Sequence, residues 1–171
     1  MERIAVFGSA FNPPSLGHKQ VIESLDHFDR VLLVPSISHA WGKEMLDYAQ
    51  RCLLLQAFID DLAINHVELL TIEQEIWQPG QSVTTYAVLS HLQHQWPEAQ
   101  LTFVIGPDNF FRFPEFYRAN DIVQQWSVLV CPEKIKIRST DIRQAIAHQQ
   151  SVHALTTPSV TRLLEQMQLY R

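Results

Sequence analysis

The stretch "FGSAFNPPSLGHKQ", residues 7–20, decides how this chain is read. It follows the apolar run Ile4-Ala5-Val6-Phe7 and places two glycines, two prolines and a histidine in a turn, before a helical pattern opens near Gly17-His18. A strand that ends in such a turn and restarts as a helix brings backbone close to whatever lies beyond the strand end. The new helix offers its unpaired N–H groups at the same place. That combination suits an anionic ligand.

Outward from this turn, short β-branched runs alternate with longer amphipathic segments. Residues 4–7, 30–34, 67–70, 101–105 and 127–130 read as strands, several of them apolar on both faces, as buried parallel strands are. Residues 16–28, 46–62 and 84–96 read as helices, with two shorter helices at 140–148 and 159–168. The alternation predicts an α/β fold: a Rossmann-like parallel sheet of about five strands, helices on both faces and a C-terminal helical segment. The region around Phe113-Pro114 reads as a loop or broken helix. No repeat or linker divides the 171 residues, so one domain over residues 1–171 is expected.

Composition narrows the function classes. With 46% hydrophobic residues the chain can bury an ordinary core, while a formal net charge of −5 argues against a protein that coats nucleic acid. No apolar run approaches the roughly 18 residues of a membrane span, and no signal-like segment opens the chain. Cys52 and Cys131 sit in apolar stretches without metal-ligand spacing and read as buried reduced thiols, which fits the cytoplasm. His91 and His94, three apart on a helix, read as a solvated face rather than a metal site.

In an open parallel sheet, ligands settle beyond the carboxyl ends of the strands. The loops that follow the strands present His18, His39, Lys43, Asp108, Arg138, Ser139, Thr140 and Arg143. Helix N-termini together with mobile lysine and forked arginine suit a phosphate-rich ligand. Neither the Gly-x-Gly-x-x-Gly nor the Gly-x-x-x-x-Gly-Lys-Ser/Thr motif is present, so a dinucleotide dehydrogenase and a P-loop NTPase are unsupported.

The run from Gly8 to His18, GSAFNPPSLGH, resembles the G-G-T-F-D-P-x-H-x-G-H signature of nucleotidyltransferases. The resemblance extends along nearly the whole chain: "SHAWGK", "QSVTTYAVL", "FVIGPDNFF", "IRSTDIR" and the ending "PSVTRLLEQMQLY" look like segments of the nicotinate and nicotinamide mononucleotide adenylyltransferases. It implies transfer of AMP from ATP to a pyridine mononucleotide, with nicotinate mononucleotide favoured over its amide, to give a dinucleotide and pyrophosphate. By the same resemblance, His18, Lys43 and Arg143 are the catalytic candidates. ATP would lie against Gly8, Ser9, Ala10, Phe11, Ser15, Gly17, His18, Gly106, Asp108, Arg138, Ser139, Thr140 and Arg143. The acceptor would lie against Asn12, His39, Trp41, Lys43, Thr84 and Phe116. Mg²⁺ would bridge ATP oxygens, held largely by the substrate.

Each of these residues also has a plainer reading. His18 can simply start a helix, Lys43 can be a solvated lysine, Asp108 can close a turn, and Ser139 or Thr140 can be an N-cap. Trp41, Trp77 and Phe116 can frame a flat ring or belong to the core. The departures from the signature matter: Ser15 stands where the family has histidine or threonine, Asn12 stands for aspartate, and Arg138 replaces a small serine. They keep two alternatives open, a related transferase using a different acceptor such as phosphopantetheine, and a nucleotide-binding sensor without turnover.

Overall fold

A computed structural model describes residues 1–38 and 44–171. His39, Trp41 and Lys43, three of the candidates above, lie outside the described residues. The strands are β1 (Arg3–Ser9), β2 (Arg30–Pro35), β3 (Val67–Leu69), β4 (Gln100–Ile105) and β5 (Ser127–Val130). The helices are α1 (Leu16–Glu23), α2 (Tyr48–Leu62), α3 (Ile72–Ile76), α4 (Thr85–Gln95), α5 (Pro107–Arg112), α6 (Ala119–Gln125), α7 (Ser139–Ala147) and α8 (Pro158–Gln166). All strand pairs are parallel, in the order β3-β2-β1-β4-β5. The α/β Rossmann-like sheet expected from the sequence is the observed architecture.

Period-two alternation sorts the strand residues into two cores. Ala5, Phe7, Val31, Leu33 and Val104 face a cluster closed by Ile22 of α1, Leu54, Leu55 and Phe58 of α2, Ile142 of α7 and Leu164 of α8. Ile4, Val6, Leu32, Val34 and Phe103 face the other side, covered by Ile72 of α3, Leu89 and Leu92 of α4, and Ile122 of α6. Because both faces are dry, the strands read as continuous apolar runs. Helix α8 is pinned to α2 where both Asp61 carboxylate oxygens accept from Ser159, one from its N–H at 2.8 Å and one from its hydroxyl at 2.6 Å.

Several boundaries differ from expectation for local reasons. Helix α1 stops at Glu23, and the Ser24 N–H and hydroxyl turn back onto carbonyls of the last turn. Helix α2 starts two residues late, with Asp47 at its N-cap. Around Phe113-Pro114, α5 runs into a 3₁₀ turn (Phe113–Glu115), and α6 then opens from a left-handed Arg118; α6 and the five-residue α3 carry too little periodicity to be anticipated. Cys131 is buried and Cys52 part-buried, and both are free thiols. Among the described residues no helix is long and apolar enough to cross a membrane.

The chain fills β1, β2 and β3 outward in one direction and then crosses back to place β4 and β5 on the other side of β1. The connections after β1 and β4 therefore diverge, and a crevice opens between them. One contact sets its floor: a Cβ on Gly17 would collide with the carbonyl oxygen of Ile137, so α1 can dock against the segment before α7 only with glycine there. We expect Gly17→Ala to cost about 1–3 kcal/mol in denaturant unfolding, as overpacking does. Gly106→Ala, whose Cβ would meet nothing within 4 Å, should leave stability near the parent; equal costs for the two would refute the docking argument.

Candidate active site

The turn between β1 and α1 is held from behind by groups distant in sequence. Arg51 Nη1 donates to Ala10 O at 2.9 Å, Arg143 Nη1 to Asn12 O at 2.7 Å, Ser139 Oγ to Pro13 O at 2.6 Å and Thr156 Oγ1 to Pro14 O at 2.8 Å. Leu16 N–H donates to Leu155 O at 2.9 Å. Asn12 Oδ1 accepts from the Tyr170 hydroxyl at 2.6 Å and from Leu46 N–H at 3.2 Å. Asn12 thus keeps the acceptor that an aspartate would offer, without its charge. Burial raises the Tyr170 phenol well above its ordinary range, so it stays protonated and donates.

A trans peptide plane points a carbonyl and the next N–H in opposite directions. Tying Pro14 O backward therefore sends Ser15 N–H forward, where it donates to His18 Nδ1 at 3.0 Å. Since a backbone N–H can only donate, Nδ1 carries a lone pair and the neutral ring is protonated at Nε2. That Nε2–H lies 3.1 Å from Ser9 Oγ. The ring packs between Phe11 and Phe7, with centroids at 4.7 and 6.0 Å. This packing desolvates the ring and lowers the His18 pKa to about 4.

Phe11 is buried yet left-handed, with φ of 47°. For a bulky residue that conformation costs free energy, and the edge-to-face contact of its ring with Phe7 and its tilted contact with His18 help to hold it. Ser15 is the N-cap of α1; its hydroxyl accepts from His18 N–H at 3.4 Å and lies 3.2 Å from Ile137 O, to which it donates.

The start of α7 forms a second wall. Arg138 caps it through its N–H to Asp141 Oδ2 at 2.8 Å. Its guanidinium takes Glu133 through Nε and Nη2, at 2.7 and 2.9 Å, and Asp108 through Nη1 at 2.9 Å. This exposed trio joins the segment after β5 to the first turn of α5. The bonds to Glu133 and Asp108 raise the Arg138 pKa. Arg143 Nη2 also reaches Thr140 Oγ1 at 3.2 Å. Between these walls is a cavity of about 330 Å³.

Residues 6–145 match the cytidylyltransferase-like family model. The chain belongs to that family. A solved structure from Vibrio parahaemolyticus, provisionally named nicotinate-nucleotide adenylyltransferase, is 52% identical, with a TM-score of 0.90 over 100% of this chain and 96% of that one. A Lactiplantibacillus plantarum protein with the same provisional name is 28% identical over 98% of this chain and 88% of its own length. A Plasmodium falciparum nicotinic acid mononucleotide adenylyltransferase, solved with NaAD, shares the fold at 13% identity, with a TM-score of 0.77 over 99% of this chain and 98% of that one.

In this cytidylyltransferase-like chain, all the ATP-side candidates come together. Gly8, Ser9, Ala10, Phe11, Ser15, Gly17, His18, Gly106, Asp108, Arg138, Ser139, Thr140 and Arg143 line the cavity, as does Asn12 from the acceptor side. Within it, the Ser139 hydroxyl donates to Pro13 O, and the Ser15 hydroxyl lies between Ile137 O at 3.2 Å and His18 Nδ1 at 3.1 Å, so both side chains shape the walls. Thr84 and Phe116 do not line the cavity. Thr84 caps α4 by accepting from Ala87 N–H at 3.1 Å, and Phe116 packs on Phe113 and Phe103. Trp77 is exposed; His91 and His94 are exposed on α4, and no group of three metal-ligating side chains occurs among the described residues.

The sequence reading missed Arg51, Thr156 and Tyr170. Arg51 did leave a signal: it falls on the same helical stripe as Leu54, Leu55 and Phe58, where a charge is out of place. Tyr170 stands only within the quoted C-terminal segment, with no sign of its role, and Thr156 left no signal. For His18, the unfolded ring takes up a proton near its ordinary 6.5 while the folded ring resists to about 4. Folding stability contributed by this group is therefore full above pH 6.5 and is lost as pH falls toward 4. Long-range proton–nitrogen spectra should show the Nε2–H tautomer at pH 7, unchanged down to about pH 5; a cationic ring at pH 6 would contradict the geometry.

Proposed function

We propose that this chain transfers the adenylyl group of Mg·ATP to nicotinate mononucleotide, forming the dinucleotide and releasing pyrophosphate. The observation that carries the reading is the His18 Nε2–H, held in one tautomer at the edge of a cavity built from two helix N-termini. In the reaction, an oxygen of the acceptor's 5′-phosphate forms a bond to the α-phosphorus as the bond from that phosphorus to the β-bridging oxygen breaks. Pyrophosphate leaves with the electron pair. No covalent enzyme intermediate is needed, so positioning and charge neutralisation supply the catalysis.

In this reading the neutral His18 donates Nε2–H to the α/β-phosphate region, exchanging its contact with Ser9 Oγ for the transition state. A neutral donor needs no proton to be taken up beforehand and works throughout the physiological pH range. The N-termini of α1 and α7 face the phosphates, and the Arg143 charge lies beside them. Mg²⁺ arrives with the triphosphate as part of the substrate. The two carboxylates in the cavity wall, Asp108 and Glu133, are both engaged by Arg138, so the wall itself builds no cation cage. Nicotinate mononucleotide is preferred as acceptor because the relatives described above carry that substrate in their names.

The experiment is pyrophosphate release from Mg·ATP with nicotinate mononucleotide, nicotinamide mononucleotide and phosphopantetheine in parallel, with product mass determined. Preferential turnover of the nicotinate form is expected. Turnover of phosphopantetheine alone, or ATP binding without turnover, would overturn the reading in favour of another acceptor or a nucleotide sensor. His18→Ala should lower kcat by about a hundredfold or more, at least as much as it raises KM for ATP. An unchanged kcat would remove His18 from the transition state.

A further inference from the structure

Arg51 lies on α2 with 1% of its surface exposed. Its guanidinium donates to carbonyls of three separate segments: Ala10 O at 2.9 Å in the turn after β1, Ser36 O at 2.7 Å past the end of β2, and Leu46 O at 2.7 Å ahead of α2. No carboxylate among the described residues pairs with it. The acid within electrostatic reach, Glu73, is itself buried, accepts from Ile37 N–H at 3.1 Å, and is pushed up to about 7 by desolvation. A leucine would continue the apolar stripe of α2 without the cost of burying a charge. What only a planar fork provides is three acceptors held in fixed mutual geometry.

One of those acceptors belongs to the cavity wall and a second is the chain neighbour of a wall residue. Ala10 is a wall residue, and Leu46 directly follows Met45, another one. Leu46 also donates its N–H to Asn12 Oδ1, so the two walls are joined twice, once through each polar group of the Leu46 backbone. We propose that Arg51 is a positioning residue for the transfer: it fixes the turn after β1 against the wall at Met45 and Leu46, so that donor and acceptor phosphates meet in line, and it touches neither. The inference rests on the adenylyltransferase reading. Misalignment of reacting groups by about 1 Å lowers the rate by up to about a hundredfold without a matching loss of ground-state binding.

Arg51→Lys in the full chain keeps the charge and removes the fork. The expected result is cooperative melting, a KM for ATP within about threefold of the parent, and a kcat lowered about tenfold to a hundredfold. Amide hydrogen exchange should quicken at Phe11 and Leu46 and stay unchanged in β4. A folded Arg51→Lys protein with parental kcat, or with parental exchange at Phe11 and Leu46, overturns the inference. If Arg51→Lys does not melt cooperatively, Arg51→Gln takes its place with the same readouts; failure of both to fold also overturns it, because Arg51 then acts on stability alone. Should the parent itself release no pyrophosphate with any acceptor, the functional reading fails, and the exchange comparison still decides the role of Arg51.

Discussion

Four carbonyls in the turn after β1 are each claimed by a side chain from elsewhere: Ala10 by Arg51, Asn12 by Arg143, Pro13 by Ser139 and Pro14 by Thr156. The remainder of the site depends on this constraint. A turn left to itself would present acceptors and donors to the crevice alike, and acceptors repel phosphate oxygens. Engaging all four carbonyls with side-chain donors offsets that repulsion. The prolines fit the scheme, since Pro13 and Pro14 bring no N–H that would need a partner.

His18 shows how far this constraint reaches. Thr156 holds Pro14 O, the peptide plane aims Ser15 N–H at Nδ1, and the proton is thereby placed on Nε2. The residue that sets the chemistry of the ring lies 138 positions away from it in the chain, beyond α7. This gives the C-terminal segment a role besides covering the sheet: Thr156, Leu155 and Tyr170 all bond to the first turn or to Asn12 within it. Ser15 serves the same frame by capping α1 and meeting Ile137 O.

The fold was legible because both faces of β1 and β2 are buried, and burial on both sides writes itself as uninterrupted apolar runs. Short elements were less so: α3, α5 and α6 are each seven residues or fewer, and two helical turns carry almost no periodic signal. The site was legible in part. Its glycines, His18 and the Ser139-Thr140 pair stand in a recognisable order at strand ends and line one cavity. Roles were harder to read than positions: Ser139 and Arg143 offer groups suited to phosphate, yet both bond to carbonyls of the turn. Arg138 carries a charge suited to phosphate and instead joins Glu133 to Asp108.

The sequence by itself determined the parallel sheet, its helical cover, the phosphate-suited turn and the residues gathered at the strand ends, because these follow from hydrophobic periodicity and local turn chemistry. Only the tertiary structure decided which hydroxyls and which guanidinium groups hold the frame. It also decided that His18 is neutral and that a charge on the apolar stripe of α2 joins three loops. The physical reason is that a hydrogen bond between residues a hundred positions apart leaves no periodic trace in the chain, and a side chain's partners exist only once the backbone has brought them together.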